Sequence, residues 1–200
     1  MTSIWDAAID RQWHVVMDML RQQASLVNTT GEIELKGYWK ATWTLFHLAL
    51  ATNAGIDIIQ YLLSQGVDVN STNYSGFAPL HIALDAKAGV DVVQCLVSHG
   101  ADVHDGRNMG FTPLHRAVAY NADMDVVKYL VSIGADVNAV DDEGWTPLFH
   151  AVWQKTDVTA MIELVQYLIA HGGDVDVRDY SGRSLVEITQ YEEVKQLYNK

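Results

Sequence analysis

Thr112-Pro113-Leu114-His115 decides the fold, because the phrase returns as Ala78-Pro79-Leu80-His81 and Thr146-Pro147-Leu148-Phe149, a spacing of 34 residues each time. A fixed period in this range marks stacked supersecondary units. Within one unit, Thr112 is a good N-cap, Pro113 suits the first helical position, and Leu114, Ala117 and Val118 supply an apolar stripe at helical spacing. The second helix reads Val126-Val127-Lys128-Tyr129-Leu130-Val131. It stops at Gly134, where glycine can take the left-handed conformation that closes a helix.

A second landmark keeps the same phase. Gly66-Val-Asp68-Val-Asn70, Gly100-Ala-Asp102-Val-His104, Gly134-Ala-Asp136-Val-Asn138 and Gly172-Gly-Asp174-Val-Asp176 each precede the next helix pair. On these two motifs the sequence resembles the ankyrin repeat family over nearly its whole length. The resemblance implies an all-α repeat solenoid of helix-turn-helix units with β-hairpin fingers.

The phase places good copies at 71–104, 105–138 and 139–176, a divergent copy at 37–70, and end caps at 1–28 and 177–200, all in a single domain spanning 1–200. The caps depart from the pattern where caps should: Ser3 to Leu20 lacks the proline phrase, and the last copy ends in Glu192-Glu193-Val194-Lys195. Two insertions break the period. From Asn28 to Thr44 the chain spans 16 residues where later intervals span 8, enlarging the first finger (29–43). Alternation around Ile33 and Leu35 predicts a short hairpin there. The fifth copy gains four residues between Trp153 and Met161, lengthening either a helix or a turn.

Composition excludes several classes. A net charge of −12 over 200 residues repels phosphates and argues against nucleic acid, while favouring a basic or mixed-charge protein partner. No apolar run approaches the roughly 18 residues of a membrane span, and no basic-then-apolar leader opens the chain, so a cytoplasmic monomer is expected. The single cysteine, Cys95, stands where Tyr61, Tyr129 and Tyr167 stand in other copies and is expected to pack in the interior.

His47, His81 and His115 recur at one position, but equivalent helices stack roughly 8–10 Å apart and ligands of one zinc approach within about 2 Å of it. Hydrogen bonding at the helix start is expected instead, with no metal and no cofactor. No phosphate loop, nucleophile elbow or paired carboxylates occur, and Asp141-Asp142-Glu143 fits turn chemistry, so no enzyme activity is expected. Leu62 to Asn70 and Leu130 to Asn138 match a pattern hydroxylated on asparagine in some ankyrin proteins, a pattern inherent to the repeat.

The resemblance places partner contacts on the fingers and the exposed ends of the first helices. Read copy by copy, these are Tyr74 and Phe77; Asn108, Met109, Phe111 and Tyr120; Asp142, Glu143, Trp145 and Trp153; and, on the enlarged finger, Tyr38, Trp39 and Trp43. Aromatic and Met side chains are enriched at interface centres and acidic ones steer basic partners. Phe77, Phe111 and Trp145 share one position, so packing along the stack competes with binding as their role. The function expected is a non-catalytic protein-binding module, most specifically an inhibitor such as an immunity or antitoxin protein. An adaptor or host-directed effector bridging two proteins is the alternative, and a small enzyme with a site in 29–43 the remote one.

Overall fold

The structure is a computed structural model that describes residues 3–33, 41–153 and 157–197, with Glu32, Ile33 and Ala41 described in their backbone only. It is an all-α repeat solenoid in class. Its residues group into two compact units, Met1–Asp102 and Val103–Lys200.

The first unit runs α1 (Ile4–Ile9), α2 (Trp13–Gln22), a 3-10 turn (Ala24–Asn28), β1 (Thr30–Ile33), β2 (Ala41–Thr44), α3 (Leu45–Ala51), α4 (Ile56–Ser64), α5 (Pro79–Asp85) and α6 (Val90–Ser98). First helices pack on first helices, α3 against α5, and second on second, α4 against α6. Their buried faces carry Leu45, Phe46, Leu48, Leu62, Leu80, Ile82, Val93 and Leu96. In the second unit α7 (Pro113–Ala119) packs on α9 (Pro147–Trp153) in the same way, α8 (Met124–Ser132) packs on α7 and α10 (Val158–Ala170) on α9, and the unit is closed by the short α11 (Leu185–Ile188) and α12 (Glu192–Lys195). Leu114, Val127, Leu130, Leu148, Phe149, Val165 and Leu168 are all but fully buried there. The stripe read from the sequence is therefore the core.

Helix starts follow their predicted chemistry. Thr44 accepts from the His47 amide at 3.2 Å and Thr112 from the His115 amide at 3.4 Å, while Pro113 occupies the first turn of α7. Gly134 closes the second helix with φ +95°, as expected. The helix that gains length is α10, which has 13 residues against 9 in α8. Four residues make about one turn, so the fifth-copy insertion enters the helix without turning its apolar face away from the core.

The fingers turn the chain back on itself with little strand. Among the described residues, the first alone carries a two-stranded sheet, β1 and β2 pairing antiparallel with Thr30 opposite Thr44 and Ile33 opposite Ala41, while the last is flanked by a single antiparallel bridge between Arg178 and Ser184. Among the described residues, the others are single tight turns. Asn73, Asp141 and Asp179 each close one by donating a backbone N–H at 3.0 Å to the carbonyl four residues on. A side chain takes over the work of a ladder: Asp141 Oδ1 accepts from the amides of Glu143 and Trp145, both at 2.9 Å, and Asp179 Oδ1 does the same for Ser181 and Arg183. A carboxylate that satisfies two amides inside the turn closes it with little strand pairing.

The base of the enlarged finger is anchored. Trp5 of α1 lies over Gly31 so closely that a Cβ there would come 2.7 Å from its Cδ2. Trp43 is 0 % exposed. Its expected role as a partner contact is corrected: side chains alternate along β2, leaving Thr42 exposed and turning Trp43 into the core, edge-on to the His47 ring. Tyr38 and Trp39 lie outside the described residues, as does the rest of 34–40.

Candidate functional site

In the second unit, finger and first-helix side chains form one continuous chain of ring contacts. Phe111, just before α7, meets the His150 ring of α9 edge-on at 4.6 Å between centroids. His150 meets Trp145 at 5.1 Å, and Trp145 meets Trp153 edge-on at 5.4 Å. At the other end, the Arg116 guanidinium lies 5.7 Å from the Phe111 ring centre and 5.8 Å from that of Tyr120. The order is Tyr120, Arg116, Phe111, His150, Trp145, Trp153. Helical spacing accounts for it, since Arg116 and Tyr120 are four apart on α7 and its cap, and His150 and Trp153 three apart on α9.

Charge and hydrogen bonding fix this row from below. His150 donates Nε2–H to Asp141 Oδ2 at 2.8 Å, the carboxylate whose other oxygen ties the finger. His115 takes a backbone N–H from Thr112 on Nδ1 at 3.2 Å and donates Nε2–H to the Trp145 carbonyl at 3.0 Å. These bonds are those of a neutral ring. Burial lowers the His115 pKa to about 4, outweighing the opposing bond to Trp145. Burial also lowers that of His150, against the pull of Asp141. Trp145 donates Nε1–H to Asp179 Oδ2 at 3.3 Å. Burial of Asp179 pushes its carboxyl up, but hydrogen bonds from Arg183 and Trp145 outweigh that and hold it below the usual range.

Above this base the face is open. Met109 is 72 % exposed, Trp153 52 % and Tyr120 45 %; Asp142 and Glu143 are exposed, while Asn108, Phe111 and Trp145 are half-buried. Consecutive fingers are linked, the Asp142 amide donating to the Met109 carbonyl at 3.0 Å and the Tyr180 amide to that of Glu143 at 3.1 Å. In the first unit, Tyr74 is 84 % exposed at its fingertip. Phe77 is half-buried, its amide held by Asn73 Oδ1 at 3.1 Å.

The histidine bonding expected at the helix starts holds for His47 as well, whose Nδ1 is 2.8 Å from Thr44 Oγ1 and Nε2 3.1 Å from the Ser71 carbonyl. Among the described residues, no group of three or more His, Cys, Asp or Glu side chains could hold a metal ion. Cys95 is buried.

Three members of the site escaped sequence reading: Arg116, His150 and Tyr180. The signal for the first two was helical spacing from Tyr120 and Trp153. Asp141 reaches His150 although nine residues separate them, because the finger folds back on α9. Tyr180 was hidden by assigning the last copy to a cap.

Paired helices, a left-handed glycine after α4, α6, α8 and α10 and side-chain-closed turns define a class of repeat scaffold. The chain belongs to the ankyrin repeat family: the family model for ankyrin repeats (3 copies) matches residues 19–107 and 86–179, most of the chain. No curated protein matches it. Ankyrin repeats point to a protein–protein interaction module, and among the described residues no helix is long and apolar enough to cross a membrane.

Proposed function

We propose that the protein is a non-catalytic binding module that docks a basic or mixed-charge partner protein on the aromatic face of its second unit. The observation that carries this reading is the exposure of Met109, Tyr120 and Trp153 above a row of rings already fixed by internal contacts, with the carboxylates of Asp142 and Glu143 beside them. Large amphipathic side chains held in place lose little entropy on binding. The net charge of −12 steers a basic partner toward them. A surface that needs no rearrangement to bind favours occlusion of the partner, the mode of an inhibitor, over transmission of a signal.

The test is affinity capture from the native host lysate with the wild type beside a Met109→Ala, Tyr120→Ala, Trp153→Ala triple variant of matched melting temperature. A protein retained by the wild type, lost with the variant and released by salt supports the face. Identical captures would place the contact elsewhere.

A further inference from the structure

The last copy supplies an exposed ring that lies against the neighbouring finger. Tyr180 is 73 % exposed, yet its amide donates to the Glu143 carbonyl at 3.1 Å and its ring rests on the backbone of Gly144. A Cβ at Gly144 would lie 2.7 Å from Tyr180 Cδ1 and 2.9 Å from Cε1. Gly144 has φ +76°, so glycine both permits the turn and clears the seat for the ring. A tyrosine needed only to cap the stack would be covered; this one keeps most of its surface in water.

Its surroundings specify a cation. The adjoining fingertip presents the exposed Asp142 and Glu143, and among the described residues no basic side chain pairs with either. The arginines nearest in sequence are committed elsewhere: Arg183 to Asp179 at 2.7 Å, and Arg178 to the Gly182 carbonyl at 2.7 Å and to Glu187 at 3.4 Å. An open tyrosine face beside unneutralised carboxylates attracts an ammonium or guanidinium through the ring quadrupole and through Coulomb attraction together.

We propose that Tyr180, seated on Gly144 beside Asp142 and Glu143, receives a lysine or arginine side chain of the partner protein. This rests on the proposed function and names the chemistry of one contact within it. The copy that ends the stack is thereby part of the recognition surface as well as a cap.

The probe is an oligo-arginine peptide titrated into the isotope-labelled protein at low salt and followed by amide chemical shifts. Wild type is compared with Tyr180→Ala, Tyr180→Phe and Glu143→Gln. The triple variant above serves as the reference. Expected are shifts centred on residues 142–144 and 180, and an affinity about three-fold weaker or more in Tyr180→Ala, a change that leaves net charge untouched, with Tyr180→Phe close to wild type. Binding undiminished in Tyr180→Ala but reduced in the triple variant would overturn the role of Tyr180 and leave the aromatic face standing. Shifts spread evenly over the acidic surface, insensitive to every variant, would overturn both.

Discussion

His115 couples stability to pH because it is neutral when folded and free to ionise when unfolded. Its pKa falls from 6.5 to about 4 on burial. Between those values the unfolded chain binds the extra proton, so stability rises with pH. Its contribution is fully present above pH 6.5 and drains away as pH falls, by roughly 1.4 kcal/mol per unit and roughly 3 kcal/mol in all by pH 4. His47 and His150, both lowered first by burial, add in the same direction. Urea midpoints taken across this range should decline steeply below pH 6.5, and His115→Asn should flatten the decline; a flat wild-type profile would contradict the assignment. A second residue is strained without evident purpose. Lys87 has φ +55°, matching Asn53 at +52° and Asn121 at +54°, but lysine lacks the short side chain that makes this region accessible to asparagine. Lys87→Asn is expected to stabilise by about 1 kcal/mol, measured as a rise in melting temperature.

At the scale of the element, each finger of the second unit carries one buried carboxylate, and each carboxylate has its own counter-charge. Asp105 pairs with Arg107, Asp179 with Arg183, and Asp141 with His150. Asp141→Ala strands two amides and the His150 N–H at once, so a loss of roughly 2–4 kcal/mol is expected, against less than about 0.5 kcal/mol for the neighbouring exposed Asp142→Ala. Thermal melts of the two variants compare them directly. The contrast also shows what the sequence could and could not disclose. The Thr-Pro-Leu-His phrase, the left-handed glycines and the apolar stripes were legible because each is a local rule of helix starts, ends and faces. The hairpin of the first finger was legible from alternation. That Trp43 turns inward was not, because strand alternation alone does not say which face the core will cover. The Asp141–His150 bond stayed hidden for a related reason: nine residues separate the partners, and only the fold-back of the finger onto α9 joins them.

Over the whole molecule, sequence charge and surface chemistry make separable demands on binding. The net charge of −12 acts at a distance and is screened over a Debye length of about 10 Å at 0.1 M salt. On the proposed reading, ring contacts at Trp153 and Tyr120 act only after encounter. Raising salt from about 0.05 to 0.3 M should therefore slow association with a basic partner by roughly ten-fold while changing dissociation little. Trp153→Ala should do the reverse, speeding dissociation with little effect on association. Folding separates the same residues from the core: Leu114 is 0 % exposed, so Leu114→Ala is expected to cost about 2–5 kcal/mol, whereas Trp153→Ala, losing a half-exposed ring, should cost far less. Stopped-flow association and dissociation rates, taken with a melt of each variant, check all of these outcomes on one set of proteins. If Trp153→Ala melted as early as Leu114→Ala, the ring row would be packing that happens to reach the surface, and the binding face would have to lie elsewhere.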